Sequence, residues 1–146
     1  MSDFRALSET VLASPQIAPD DLAAAKAEGV TLVVNNRPDG EAEDQTPGTE
    51  IEAAARAAGL DYVAIPIGGS GFGEPQVQAM ADALAEANGK VLAYCRSGTR
   101  STLLWSLAQA QAGRDPEEIA AAAAAAGYDV TPVRPAIDML AARARG

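Results

Sequence analysis

The chain has 146 residues, of which 48% are hydrophobic and 4% aromatic, and its 20 acidic and 11 basic residues give a net charge of −9. This length is typical of a single domain over residues 1–146 with a mainly aliphatic core. The negative charge opposes binding to nucleic acid or to an anionic membrane surface, and no apolar stretch reaches the roughly 18 residues that span a bilayer.

The content of histidine and cysteine limits the available chemistry. The chain has no histidine and one cysteine, which excludes Ser-His-Asp triads, Cys-His pairs, histidine-ligated zinc and an internal disulfide. We therefore predict neither a metal site nor another cofactor. The N-terminus is unlike a signal peptide, because no basic start leads into an apolar segment. A lone reactive thiol suits a reducing compartment, so we expect a cytoplasmic protein.

The first sixty residues alternate between strand and helix patterns. Residues 10–14 predict a short strand at an edge of the sheet, and acidic residues in the first turn favour a helix over residues 19–28. Residues 30–35 are mostly apolar and β-branched, as in a buried parallel strand. A polar loop over residues 37–48 leads to an amphipathic helix over residues 49–58. Because open α/β sheets bind ligands at the carboxyl ends of their strands, this loop is well placed for a site.

The same alternation continues up to the cysteine. Residues 62–67 predict a strand, residues 68–73 form a loop with four glycines, and residues 75–88 have the apolar spacing of a helix. Residues 91–94 are a short apolar strand that ends at Cys95. The cysteine is therefore expected at the carboxyl end of a strand.

Three helices complete the chain. They are predicted over residues 101–112, over the alanine-rich residues 115–126, which start with Asp-Pro-Glu, and from residue 131 towards the C-terminus. Glycines that end helices fall thirty residues apart, at 29, 59 and 89, which is the spacing of a strand–helix unit. Such units favour right-handed crossovers onto a mostly parallel sheet. We predict an α/β three-layer sandwich whose central sheet of four to five strands is flanked by helices.

The loop after the last predicted strand combines a thiol with two cations. It reads Cys-Arg-Ser-Gly-Thr-Arg-Ser over residues 95–101, immediately before an apolar helix. Amide groups at a helix N-terminus and nearby guanidinium groups stabilise a bound anion and a thiolate. A lone cysteine at a strand end is usually a small buried hydrophobic residue. The two arginines, the central glycine and the helix that follows favour a reaction site instead.

This loop resembles two kinds of active-site loop. It matches the Cys-Arg-x-Gly-x-Arg pattern of rhodanese sulfurtransferases, and it is one residue shorter than the Cys-x5-Arg loop of protein tyrosine phosphatases. Taken with Val-Val-Asn-Asn-Arg-Pro-Asp-Gly-Glu over residues 33–41, it resembles the phosphatase-like domain of the beta-lactamase hydrolase-like proteins, a domain of unknown function also described as a sulfur transferase. The resemblance covers about residues 12–128 and implies a protein tyrosine phosphatase-like fold.

The resemblance implies first a cysteine-dependent sulfurtransferase of the rhodanese type. Cys95 takes sulfane sulfur from a small anionic donor such as thiosulfate, forms a persulfide and passes the sulfur to a thiol acceptor. Arg100 holds the anion, and Arg96 receives the negative end of the donor. The predicted anion-binding residues are Arg96, Ser97, Gly98, Thr99, Ser101 and Arg37. Arg37 is equally able to form a surface ion pair with Glu41 or Glu43.

Two alternatives stay open. In the first, a phosphatase, Cys95 forms a phosphocysteine, Arg100 binds the phosphate oxygens and Ser101 helps the thiolate to leave. This reaction needs a general acid, but the residues at 66–71 include no carboxylate. Asp39 is the candidate acid, although its Pro-Asp-Gly context equally suits a solvated turn. In the second alternative, the loop belongs to a non-catalytic module that binds an anion or a partner.

Overall fold

Five strands form the centre of the protein. In the computed structural model, which describes residues 2–146, they are β1 (Arg5–Ala6), β2 (Val11–Ser14), β3 (Val30–Asn35), β4 (Asp61–Ala64) and β5 (Lys90–Tyr94). Their order in the sheet is β1-β2-β5-β3-β4. The β1–β2 pair is antiparallel and the other three pairs are parallel. The predicted α/β fold with a mostly parallel sheet is therefore confirmed.

Helices cover both faces of this sheet. They are α1 (Asp21–Ala27), α2 (Gly48–Ala57), α3 (Glu74–Glu86), α4 (Thr99–Gln111), α5 (Pro116–Ala125) and α6 (Arg134–Arg145). A short 3-10 helix over Thr131–Val133 leads into α6. Within residues 2–146, every helix is too short or too polar to cross a lipid bilayer.

Alternating side chains of the strands fill two hydrophobic layers, as the period of two residues requires. Ala13, Val34 and Ala93 face the larger layer, which is completed by α3, α4, α5 and α6. Leu12, Val33 and Leu92 face the smaller layer, which is completed by α1 and α2. These two layers with the sheet between them give the predicted three-layer sandwich. Helix α4 is enclosed on most sides by the larger layer, so its N-terminus is firmly positioned.

Three features differ from those predicted, and the first is the strand predicted over residues 62–67, which is the shorter β4 (Asp61–Ala64). The edge position expected for residues 10–14 is wrong, because β1 pairs with β2 and takes the edge. A two-residue strand is too short to show a periodic pattern, so the sequence carries little sign of it. The last helix begins as the 3-10 turn over Thr131–Val133, and the α-helix starts only at Arg134. Pro135 suits its first turn, where no amide hydrogen is required.

The strand order brings three chain segments together at one edge of the sheet. Strand β5 lies between β2 and β3, so that Tyr94 is in register with both Ser14 and Asn35. Strand β4 lies on the other side of β3, where Ala64 pairs with Asn35. The residues that follow these strands therefore meet at the carboxyl edge of the sheet.

Candidate active site

Cys95 follows the central strand β5 directly and lies close to the start of α4. Its side chain is fully buried, and its Sγ accepts a hydrogen bond of 3.1 Å from the backbone N–H of Gly98. Gly98 is the residue that precedes α4. The sulfur thus lies at the N-terminus of an enclosed helix, where the helix dipole and an amide donor favour negative charge.

Gly98 occupies a position that only glycine fits. Its φ is +92°, in the left-handed region that side chains rarely adopt. A Cβ placed there would lie 2.1 Å from the hydroxyl oxygen of Tyr128. That hydroxyl donates a hydrogen bond of 3.1 Å to the carbonyl of Ser97. The loop is therefore supported by a residue from the C-terminal part of the chain that the sequence analysis did not identify.

Arg100 is held in place by three hydrogen bonds. Its Nη1 donates to Glu41 Oε2 at 2.6 Å and to the carbonyl of Ile67 at 2.9 Å, and its Nη2 donates to Glu41 Oε1 at 2.9 Å. The bond from Arg100, with a smaller contribution from Arg37, lowers the pKa of Glu41 to about 2. The same contact raises the pKa of Arg100. A guanidinium group is thus fixed in orientation, with its charge retained, close to the cysteine loop.

Arg37 contacts the same carboxylate from the other side. Its Nε donates to Glu41 Oε1 at 3.0 Å, and its Nη1 donates to Gln16 Oε1 at 3.0 Å. The ion pair with Glu41 was one of the two predicted alternatives, but Arg37 is buried rather than at the surface. Glu41 therefore forms ion pairs with both Arg37 and Arg100. A direct role of Arg37 in anion binding stays a prediction.

The Glu41 contacts predict a stability that depends on pH. A carboxyl whose pKa falls from 4.5 to about 2 on folding stabilises the protein above pH 4.5, and this contribution is lost as the pH falls towards 2. We expect Glu41→Gln to lower the free energy of unfolding at neutral pH and to flatten its dependence on pH in that window. Urea unfolding at several pH values measures both.

Glu52→Gln is the matched control, because Glu52 forms an exposed pair with Arg56 along helix α2. Exposed pairs contribute little to stability, so this variant should behave like the wild type. Parallel curves for wild type and Glu41→Gln between pH 4.5 and 2 would contradict the assigned coupling.

A second buried network connects the loop to strand β3. Ser101 Oγ donates to Asn36 Oδ1 at 2.7 Å, and both residues are fully buried. The Nδ2 of Asn36 donates to the carbonyl of Ile65 at 2.9 Å, which fixes the orientation of the amide group. Because Asn36 Oδ1 is an acceptor only, Ser101 must be the donor. The Ser101 hydroxyl hydrogen is thus directed at Asn36 and not at the sulfur of Cys95.

The remaining residues of the predicted anion site lie on the open side of the loop. Arg96, Ser97 and Thr99 are exposed. Ser97 Oγ donates to Thr99 Oγ1 at 2.9 Å, and within residues 2–146 the Arg96 side chain forms no ion pair. Arg96 is therefore free to meet a negative group outside the loop.

Asp39 lies at the start of helix α2. Its Oδ1 accepts a hydrogen bond of 2.8 Å from the N–H of Gly48, and this contact accounts for its position. In the described part of the chain, no hydrogen bond joins Asp39 to residues 95–101. Its role as a general acid stays a prediction. Within residues 2–146, no group of three or more His, Cys, Asp or Glu side chains is placed to hold a metal ion.

Three residues of the site were not predicted from the sequence. They are Asn36, Tyr128, and Glu41 in its role as the partner of Arg100. A weak signal existed for Asn36 and Glu41, since polar residues in the loop that follows a buried strand commonly line a site. Tyr128 had no such signal. It follows helix α5 by three residues, and nothing local distinguishes it from a core aromatic residue.

Comparison with known proteins shows which family the chain belongs to. The profile of the family described as the phosphatase-like domain of the beta-lactamase hydrolase-like protein matches residues 3–112. A beta-lactamase hydrolase-like protein of Agrobacterium fabrum is 40% identical over 105 residues, which are 72% of this chain and 24% of the relative. The chain thus spans about a quarter of the length of that relative.

Solved structures show the same fold. A candidate phosphatase from Neisseria meningitidis is 30% identical, with 96% of this chain and 99% of that chain covered, and the TM-score is 0.84. P. aeruginosa TpbA in complex with pTyr has a TM-score of 0.68 at 17% identity, and the match covers 99% of this chain and 91% of that chain. At this identity the similarity concerns the fold alone. The predicted protein tyrosine phosphatase-like fold is confirmed. By its profile match, its relatives and its fold, the chain belongs to the phosphatase-like domain family of the beta-lactamase hydrolase-like proteins.

Proposed function

We propose that this domain is a cysteine-dependent phosphatase that cleaves phosphoric monoesters through a phosphocysteine on Cys95. The observation that carries the proposal is the sulfur at the N-terminus of α4, in contact with the Gly98 N–H and near an Arg100 guanidinium oriented by Glu41. The family supports the same reading, since its description is phosphatase-like. We therefore favour the phosphatase alternative over sulfur transfer.

Each step of this reaction uses groups at the loop. The Cys95 thiolate attacks phosphorus, an S–P bond forms, and the ester oxygen leaves with its electron pair. Water then breaks the S–P bond, which releases inorganic phosphate and restores the thiolate. Arg100 and the amides at the start of α4 stabilise the phosphoryl oxygens in both steps. Arg96, which is exposed, contacts a negative group elsewhere on the substrate.

The site also limits which esters are cleaved well. Asp39 accepts a hydrogen bond from the Gly48 N–H, so it is not arranged to protonate the leaving group of the ester. A general acid typically contributes about 10²–10⁴-fold to such a reaction. We therefore propose substrates with weakly basic leaving groups, such as aryl phosphates.

Sulfur transfer is the second candidate, because two observations favour it. The loop is one residue shorter than the Cys-x5-Arg loop of protein tyrosine phosphatases and has the Cys-Arg-x-Gly-x-Arg spacing of rhodanese sulfurtransferases. The two hydrogen bonds of Asp39 and Ser101 do not oppose sulfane transfer, which needs no strong general acid. In this reaction a persulfide of Cys95 passes its outer sulfur to a thiol or to cyanide.

One assay distinguishes the two candidates. Wild-type protein is given p-nitrophenyl phosphate, or thiosulfate with cyanide, under the same conditions, and kcat/KM is measured for each. The proposal expects phosphate release to be the faster reaction. Faster formation of thiocyanate would overturn it in favour of sulfur transfer, and no turnover of either substrate would favour the non-catalytic module.

A further inference from the structure

The peptide unit between Ser97 and Gly98 links the sulfur to the C-terminal part of the chain. Its N–H, which belongs to Gly98, donates to Cys95 Sγ at 3.1 Å. Its carbonyl, which belongs to Ser97, accepts from the Tyr128 hydroxyl at 3.1 Å. A trans peptide unit is planar, and its N–H and C=O point in opposite directions. The two hydrogen bonds therefore fix the orientation of one plane.

We propose that Tyr128 is a positioning residue for the chemistry of Cys95: by holding the Ser97 carbonyl, it keeps the Gly98 N–H directed at the sulfur. The inference deepens the proposed function and rests on it, because it concerns the same nucleophile. Tyr128 lies beyond residues 3–112, which the family profile matches. Its role is thus assigned by contacts in this structure.

Gly98 makes such a support necessary. A glycine adopts positive and negative φ with similar ease, so the peptide unit before it turns over at little steric cost. If it turned, the Ser97 carbonyl would face the thiolate in place of the N–H, and repulsion would replace a hydrogen bond. The hydroxyl of Tyr128 stabilises the productive orientation. The hydroxyl also packs closely against Gly98, since a Cβ at position 98 would lie 2.1 Å from that hydroxyl oxygen.

Tyr128 is itself well positioned. It is 8% exposed, and its N–H donates to the carbonyl of Ala123 at 2.9 Å, which ties it to the end of α5. The guanidinium of Arg5 lies 5.2 Å from the centre of its ring. Burial raises the pKa of Tyr128, so its hydroxyl remains protonated and able to donate throughout the neutral range.

The test is Tyr128→Phe, which removes the hydroxyl and keeps the ring. We expect alkylation of Cys95 by iodoacetamide to slow about tenfold, the scale expected for the loss of one hydrogen bond to a charged group. The amide proton resonance of Gly98 in an ¹⁵N spectrum should move upfield.

Ser106→Ala is the matched control. In the wild type, the buried hydroxyl of Ser106 donates a hydrogen bond to the carbonyl of Thr102 at 2.8 Å. The variant therefore also removes one hydrogen bond between a hydroxyl and a carbonyl, here within α4. It should lose a similar amount of stability and keep the wild-type rate of Cys95 alkylation. If Tyr128→Phe is less stable, both measurements are made below the temperature at which it begins to unfold.

The inference is overturned if Tyr128→Phe keeps the wild-type rate of Cys95 alkylation and the wild-type Gly98 resonance. These measurements need no turnover, so they are separate from a failure of the proposed function. That failure would appear as wild-type protein that is alkylated normally but releases no phosphate.

Discussion

Cys95→Ser is expected to lower the turnover of p-nitrophenyl phosphate by about 10⁴-fold or more, as loss of a nucleophile does in enzymes with a covalent intermediate. Cys95 is the only cysteine of the chain, so no second thiol replaces it. A serine hydroxyl at the same place accepts the Gly98 N–H but is not ionised at neutral pH. Initial rates with purified wild type and variant measure the loss.

Trapping the intermediate makes this prediction specific. Mass spectrometry of acid-quenched wild type during turnover should show one added phosphoryl group on Cys95, and the variant should show none. The thermal midpoint of Cys95→Ser serves as the control for folding, because the side chain is fully buried. Substantial turnover in a folded variant would place the nucleophile elsewhere in the chain.

Arg100→Lys is expected to lower kcat/KM by about 10²–10³-fold, the loss typical of removing one preorganised donor to a developing charge. The guanidinium group is planar and its orientation is fixed by Glu41 and by the Ile67 carbonyl. A lysine keeps the positive charge but loses this geometry, so two oxygens of one phosphoryl group are no longer bound together.

The matched control is Arg56→Lys, which changes the same residue type in an exposed pair with Glu52. It should leave kcat/KM at the wild-type value. If Arg100→Lys also retains that value, a point charge suffices and the orientation set by Glu41 is irrelevant to the reaction. Both variants are assayed with the same aryl phosphate, so that the comparison concerns Arg100 alone.

The sequence by itself determined most of the helices and strands and the reactive loop. The apolar, β-branched run over residues 30–35 predicts a strand with the bounds of β3 (Val30–Asn35), and the Asp-Pro start predicts α5 (Pro116–Ala125) closely. Cys95 was correctly placed between a strand and a helix. These features depend on interactions between near neighbours in the chain, namely backbone preference, helix termini and hydrophobic period, so a local pattern carries them.

Only the tertiary structure decided how the site is assembled. Glu41 and Arg100 are 59 residues apart, Asn36 and Ser101 are 65 apart, and both pairs form because β3 is the neighbour of β5 in the sheet. Arg37 becomes buried for the same reason. Tyr128 reaches the loop only through the packing of the C-terminal helices on α4. Each of these contacts is one hydrogen bond or ion pair between distant segments. It leaves no periodic trace in the sequence, because its geometry depends on strand order and helix packing rather than on local propensity.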